Sequence, residues 1–210
     1  MKRNLLLFGI FILMATVAFS QKDEKVVEIM TSMGNIKVKL YNETPLHRDN
    51  FLNLAETGAV NGSIFHRVIK GFMVQGGGKP GSNGAGSIGA TIPAEILPGF
   101  IHKKGALCAA RMGDQVNPKK ESSGSQFYIV QGRIHTENDL NAMEPRKKQK
   151  FTKQQRDAYT TIGGTPHLDG DYTVFGEVIE GLDIIDKIAG VPTSRTIPNT
   201  PIEINLKAVK

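Results

Sequence analysis

Apolar and polar residues alternate most regularly near the end of the chain, at positions 202–208. A period of two over this length predicts a strand with one buried face. Residues 26–40 show a similar pattern on both sides of a turn-forming sequence, which predicts a hairpin of two strands. Short apolar runs predict further strands from Phe65 onward and at 106–110, 126–131 and 173–178.

Two segments show the spacing of a helix instead. The first begins at Thr44 and Pro45, where a cap residue precedes a proline at the first helical position, and it ends at Gly58. The second runs from Leu182 to Ala189 with its apolar residues on one face. Many short strands, two helices and no regular strand–helix alternation predict a mainly antiparallel sheet or barrel.

The N-terminal segment follows neither pattern. Lys2 and Arg3 precede an apolar run from Leu5 to Phe19, and Ala18 and Ser20 place small residues at the spacing that a signal peptidase recognises. We predict a signal peptide at 1–20, a short polar linker at 21–25 and one domain at 26–210. An uncleaved membrane anchor is the alternative. On the first interpretation the mature protein is exported, to the periplasm or outside, is not stably inserted in a membrane, and is a monomer.

The polar segment at about 132–164 interrupts the rhythm of short strands. It contains seven basic and four acidic residues, and it is predicted to be an insertion on a finished domain. Thr152 and Gln155 have the spacing of a capping box, which predicts a short surface helix there.

The excess of basic residues could indicate a protein that binds nucleic acid. The formal net charge is +6, of which Lys2 and Arg3 contribute two. The most basic stretch, residues 145–150, has only Phe151 beside it as a stacking residue. A solvated loop explains this stretch better than a binding surface, so no nucleic-acid partner is predicted.

The glycine-rich stretch contains two matches to the dinucleotide-binding pattern, at 76–81 and 84–89. Such a site requires the loop to open a long helix. Pro80 interrupts the first match and Pro93 follows the second. Neither is followed by helical spacing, so nucleotide binding is not predicted.

Other common chemistries also lack their motifs. The five histidines do not have the spacing of metal ligands, and the serines at 122, 123 and 125 lack the context of a nucleophile. We therefore predict no metal and no other cofactor. Cys108 is the only cysteine, so it cannot form an internal disulfide, and its apolar neighbours predict a buried residue.

The stretch FHRVIKGFMVQGGG, residues 65–78, combines Arg67 and Gln75 with Phe72 and Met73. It resembles the signature of the cyclophilins, the peptidyl-prolyl cis–trans isomerases. The likeness continues through residues 83–84, 105–113, 123–129 and 167–178 and so covers most of the chain from residue 26. The resemblance implies a closed eight-stranded antiparallel β-barrel capped by two α-helices, with a substrate groove on its outer face.

The implied reaction explains this mixture of residues. Rotation about an X-Pro bond makes and breaks no covalent bond, and its barrier comes from amide resonance. A cation that donates a hydrogen bond to the proline nitrogen would stabilise the twisted transition state more than either planar form. The resemblance assigns that role to Arg67. It assigns proline and backbone binding to Phe72, Met73, Gln75, Gly84, Ala110, Arg111, Gln126, Tyr128, His167, Leu168 and Tyr172.

Four positions depart from the common family pattern. His167 stands where many members have tryptophan, Tyr128 where phenylalanine is usual, Tyr172 where histidine is usual, and Arg111 where asparagine is frequent. The first three keep an amphipathic ring, so turnover of proline-containing polypeptides is still expected. A binding module on the same scaffold that holds proline peptides without turnover is the alternative.

Overall fold

The computed structural model describes residues 24–147 and 150–209. The predicted signal peptide and most of the linker at 21–25 lie outside the described residues. The predicted domain at 26–210 is described except for residues 148, 149 and 210. Among the residues described, no helix is both long enough and apolar enough to cross a bilayer.

The described part of the chain forms eleven strands: β1 (Lys25–Thr31), β2 (Gly34–Leu40), β3 (Ser63–Ile64), β4 (Arg67–Ile69), β5 (Met73–Gly76), β6 (Ala106–Arg111), β7 (Ser122–Val130), β8 (Val174–Glu180), β9 (Thr193–Ser194), β10 (Ile197–Pro198) and β11 (Glu203–Val209). Nine of them form one sheet in the order β3-β11-β1-β2-β8-β6-β7-β5-β4, and β9 pairs with β10. All pairs are antiparallel, as the sequence predicted.

The sheet is curled but open, so the closed eight-stranded barrel expected from the resemblance is not what the structure shows. The sheet ends at β3 and β4, which are only two and three residues long. Phe65 and His66 join these strands in the chain, but β3 and β4 do not pair with each other. The N–H of Phe65 donates to Ile202 O (3.0 Å) and that of Val68 to Thr196 O (2.7 Å). Without a ladder between its end strands the sheet cannot close.

Four α-helices are present in the described residues, rather than the two implied by the resemblance: α1 (Pro45–Thr57), α2 (Glu137–Lys147), α3 (Lys153–Thr161) and α4 (Leu182–Ala189). Helices α1 and α4 confirm the two predicted from spacing. Helix α3 begins at the predicted capping box, in which the Thr152 hydroxyl and the Gln155 side chain each accept the other's backbone N–H.

Helix α2 was not predicted. It is polar, contains Pro145, and buries only Leu140. A reciprocal cap precedes it, because the N–H of Asp139 donates to Thr136 Oγ1 (3.1 Å) and the N–H of Thr136 donates to Asp139 Oδ2 (2.9 Å). The Thr-x-x-Asp spacing was therefore the available sequence signal for this helix.

The sheet is apolar on both faces. Its inner face, with α1 and α4, forms the main core and includes Phe127 and Ile129 of β7. The alternate residues Tyr128 and Val130 face outward into a second cluster with Met73 and other apolar side chains. This second cluster lies where the site is built.

Candidate active site

Sheet register places several predicted site residues in one row. Arg67 of β4 pairs with Gln75 of β5, Gln75 pairs with Tyr128 of β7, and Tyr128 pairs with Cys108 of β6. Paired residues on neighbouring antiparallel strands project to the same face. The row therefore extends from a cation at the sheet edge to an aromatic ring in the outer apolar cluster.

A hollow of about 90 Å³ opens on this row. Nine of the twelve predicted site residues line it: Arg67, Phe72, Met73, Gln75, Ala110, Arg111, Tyr128, Leu168 and Tyr172. A second, larger depression of about 440 Å³ adjoins it, shares Gln75, Ala110 and Arg111 with it, and also includes Gln126. Gly84 and His167 line neither space, but each contacts a residue of the site or its neighbour: Gly84 approaches His66, and His167 stacks on Phe72.

Arg67 stands at the rim of the hollow without a carboxylate partner among the described residues. Its Nη1 donates to Gln75 Oε1 (3.3 Å) and lies 3.9 Å from Met73 Sδ. Its guanidinium carbon lies 5.7 Å from the centre of the Phe72 ring. Gln75 Nε2 in turn donates to Gln126 Oε1 (3.2 Å). The guanidinium is thus oriented by neutral groups, and its charge is available to a bound molecule.

Gly84 supports this arrangement from behind. Its φ is +88°, and a Cβ there would lie 2.0 Å from the Cγ of His66. Its carbonyl accepts from Gln126 Nε2 (3.2 Å). Burial lowers the pKa of His66, which precedes Arg67 in the chain. Gly84 therefore packs against the residue next to the cation rather than lining the hollow.

Arg111 makes its contacts within the protein. Its Nε donates to Asp171 O (2.7 Å), its Nη1 pairs with Asp114 Oδ1 (2.6 Å), and its guanidinium carbon lies 4.5 Å from the centre of the Tyr172 ring. These contacts fix the side of the hollow formed by Tyr172.

His167 forms the outer edge of the site. It lies in the 3-10 turn Pro166–Leu168, and its ring stacks on Phe72 with centroids 5.5 Å apart. Lys147 Nζ, from the end of α2, donates to its carbonyl oxygen (3.0 Å). Burial lowers the pKa of the His167 imidazole. The residue before Leu168 is thus held both by Phe72 and by the segment predicted to be an insertion.

Sequence reasoning missed the groups behind Tyr128. Its hydroxyl lies 3.0 Å from Nε2 of the fully buried His102, whose Nδ1 lies 2.8 Å from Asp169 Oδ1. Burial raises the pKa of Tyr128, and it also raises that of Cys108, which is hydrogen-bonded to Tyr128. These residues come from separate segments, so no local motif could have shown their contact. The predicted burial of Cys108 is confirmed.

The described residues contain no cluster of three or more histidine, cysteine or acidic side chains suited to a metal.

Comparison with known proteins agrees with this geometry. Residues 26–208 match the family model described as cyclophilin type peptidyl-prolyl cis-trans isomerase. A peptidyl-prolyl cis-trans isomerase of Acinetobacter baylyi is 35% identical over 184 residues, covering 85% of this chain and 81% of that protein. A protein of Staphylococcus aureus described as a putative peptidyl-prolyl cis-trans isomerase is 33% identical over 189 residues, which cover 87% of this chain and 91% of that protein.

Two solved structures are also similar. Both are structures of a cyclophilin type peptidyl-prolyl cis-trans isomerase of Cryptosporidium parvum, which is 26% identical in sequence to this chain. In each case the match covers 99% of the solved chain. The first covers 90% of this chain with a TM-score of 0.68. The second, determined in the presence of the dipeptide Ala-Pro, covers 88% with a TM-score of 0.66. The sequence resemblance, the fold and these relatives agree: the chain belongs to the family of cyclophilin-type peptidyl-prolyl cis–trans isomerases.

Proposed function

We propose that Arg67 is the catalytic residue of this isomerase, and that the hollow beside it receives the proline ring of a polypeptide. Phe72, Met73, Tyr128 and Leu168 would contact the ring. The observation that carries the proposal is the position of Arg67, a cation without a carboxylate partner among the described residues, at the rim of an apolar hollow.

The chemistry requires only a well-placed donor. In the planar amide the proline nitrogen shares its lone pair with the carbonyl, which gives the C–N bond partial double-bond character. Rotation breaks this conjugation and returns the lone pair to the nitrogen. A guanidinium N–H aimed at that nitrogen stabilises the twisted state selectively. Arginine suits this role because it stays charged at any ordinary pH and its donors are directional.

The neighbouring depression supports a polypeptide substrate rather than a free amino acid. A chain whose proline occupies the hollow could extend past Gln75 toward Gln126, whose amides would bind its backbone. The solved relative studied in the presence of Ala-Pro supports the same class of ligand. The alternative, binding without turnover, is disfavoured because the donor that only turnover requires is present and oriented.

We further propose that the isomerase assists the folding of exported proteins. The charged start, the apolar run and the small residues Ala18 and Ser20 support this proposal. N-terminal sequencing of protein recovered from producing cells tests it. A mature chain starting at Gln21 is expected, and a chain retaining residues 1–20 would contradict cleavage.

An isomerisation assay on the purified protein with an Ala-Pro peptide tests the proposed turnover most simply. Uncatalysed exchange takes tens to hundreds of seconds, so acceleration is easily measured. Catalysis that scales with protein concentration is expected. Saturable binding of the peptide without any acceleration would favour the binding module instead.

Turnover should be nearly independent of pH between about 6 and 8, because arginine does not titrate there and no general base is required. Burial lowers the pKa of His66 and His167, so each gains its charge at a lower pH than an exposed histidine does. The measurement is kcat/KM per folded molecule across the range. A bell-shaped profile centred near neutrality would implicate one of these histidines and contradict the mechanism.

Stability has a different expected pH dependence. Because folding lowers the pKa of both histidines, the unfolded chain binds more protons at acid pH. Their contribution to the free energy of unfolding should be fully present above about pH 6.5 and lost as the pH falls below it. Denaturant unfolding at each pH checks this, and it also separates lost folding from lost turnover.

Replacing His167 with tryptophan should tighten inhibition by cyclosporin, since family members that bind such macrocycles often have tryptophan there. A larger ring with an indole N–H would extend the wall that His167 now forms against Phe72. Turnover of small prolyl peptides should change little, because other residues line the hollow. Paired inhibition curves test this, and equal sensitivity of the two proteins would show that residue 167 does not contact the macrocycle.

A further inference from the structure

The segment at 132–164 has a small core of its own. Leu140 of α2 and Tyr159 of α3 are buried together with Phe151, which precedes α3. Ile101 of the main domain packs against them. Tyr159 is completely buried, and its ring meets Phe151 edge to face with centroids 6.0 Å apart. An insertion that merely decorated the surface would not need a buried tyrosine at its junction with the domain.

The hydroxyl of Tyr159 begins a chain of hydrogen bonds that ends at the proline hollow. It donates to Asp169 Oδ2 (2.6 Å). Asp169 Oδ1 accepts from the backbone N–H of His102 (2.9 Å) and lies 2.8 Å from His102 Nδ1. His102 Nε2 lies 3.0 Å from the hydroxyl of Tyr128. Tyr128 lines the hollow.

With Asp169 ionised and His102 neutral, the donors and acceptors along this chain fit one arrangement of protons. The carboxylate accepts, so His102 carries its proton on Nδ1 and donates it to Asp169. Nε2 is then free to accept from the Tyr128 hydroxyl. Tyr128 and His102 are at least 95% buried, and a buried network with every member satisfied holds its side chains in one geometry.

A second contact joins the insertion to the same loop. Lys147 Nζ, at the end of α2, donates to the carbonyl oxygens of His167 and Asp169. Only 16% of its side chain is exposed. Both helices of the insertion therefore hold the segment 167–169, which carries Leu168 of the hollow.

We propose that the insertion is part of the isomerase site, and that Tyr159, through Asp169 and His102, positions Tyr128 as the wall of the proline hollow. Tyr159 does not line the hollow and acts only through the intervening residues. The proposal explains why Tyr128 can replace the usual phenylalanine: its hydroxyl has a fixed partner. It rests on the proposed role of the hollow in proline binding.

A double-mutant cycle tests the connection. Tyr159→Phe removes only the hydroxyl and should lower kcat/KM for a prolyl peptide about three- to tenfold. Tyr128→Phe removes the other end of the chain. In that background, Tyr159→Phe should change kcat/KM by less than about twofold, because the connection is already broken. Equal effects in both backgrounds, or an unchanged kcat/KM with a lowered Tm, would overturn the proposal.

Tyr41→Phe is the matched control. It also removes a partly buried hydroxyl, one bonded to Glu177, but it lies outside the chain from Tyr159 to Tyr128. Its effect on kcat/KM should be the same with tyrosine or phenylalanine at residue 159. Non-additivity with Tyr159→Phe there would show a general loss of packing and would contradict a specific path.

Should Tyr128→Phe fail to fold, the ¹⁵N resonances of His102 decide the question in Tyr159→Phe alone. A shifted Nε2 resonance and a changed Tyr128 ring signal are expected, whereas unchanged signals would overturn the proposal. Failure of the proposed function is distinguishable, since it would appear as a wild-type protein without turnover.

Discussion

Replacing Arg67 with alanine is expected to lower kcat/KM for a prolyl peptide by about one to three orders of magnitude, the range for losing one preorganised donor. The loss should be large because, in the described part of the chain, Arg111 is the only other cation that lines the hollow, and it is already engaged. Arg111, which also lines the hollow, is held by Asp114, Asp171 and the ring of Tyr172. The measurement compares the initial rate of peptide isomerisation by the wild-type protein with that by Arg67→Ala.

Folding should be almost unaffected by this substitution. Arg67 makes no ion pair with any described residue, and its contacts to Gln75 and Met73 are long, at 3.3 and 3.9 Å. The Tm should therefore stay close to that of the wild type. Arg195→Ala removes the same charge at an exposed position in the turn between β9 and β10 and is the matched control. If Arg67→Ala kept near wild-type turnover, or lost no more than Arg195→Ala, Arg67 would not be the catalytic residue.

Gly84→Ala should be the most damaging small substitution near the site. An alanine there would take a left-handed conformation, with a φ of +88°, and would place its Cβ 2.0 Å from Cγ of His66. The atoms that clash are at the base of the imidazole, so rotating the ring cannot relieve the clash. His66 must move, and Arg67 follows it in the chain. We expect a loss of about 2–4 kcal/mol in the free energy of unfolding from strain and overpacking together.

Gly81→Ala provides a control that shares the backbone strain but not the clash. Gly81 also has a positive φ, +73°, but a Cβ there would meet nothing within 4 Å. It should lose only about 1–2 kcal/mol, the cost of the left-handed conformation. Turnover should fall at least about tenfold in Gly84→Ala, through displacement of the donor beside His66, and little in Gly81→Ala. Equal losses in the two variants would show that contact with His66 does not support the site.

Sequence alone predicted the parts of the site that lie close together in the chain. Arg67, Phe72, Met73 and Gln75 occur within nine residues, and the hairpin of β4 and β5 brings all four to the hollow. Tyr128 and Leu168 belong to separate motifs that also resemble the family, and the structure places both in the lining of the hollow. Alternating apolar residues also predicted the main strands, and helical spacing of apolar residues predicted α1 and α4, since each element has a clear buried face.

The rest depends on contacts between distant segments. The chain from Tyr159 to Tyr128 joins four separate parts of the sequence through side chains, and nothing local distinguishes His102 from a structural histidine. Helix α2 was missed because it has only one buried residue and an internal proline. Closure of the sheet could not be judged either, because β3 and β4 are too short for their pairing to be read from a pattern.

The central claim is tested most directly by NMR exchange spectroscopy on a prolyl peptide, with wild-type protein and with Arg67→Ala. This method measures the rate of rotation about the X-Pro bond of the bound peptide separately from the affinity of the protein for the peptide. We expect the rate of rotation in the bound state to fall at least about tenfold. The dissociation constant should stay within about threefold, since the apolar hollow is intact. An unchanged rate of rotation with weakened binding would show that Arg67 only holds the peptide, and it would contradict its assignment as the transition-state donor.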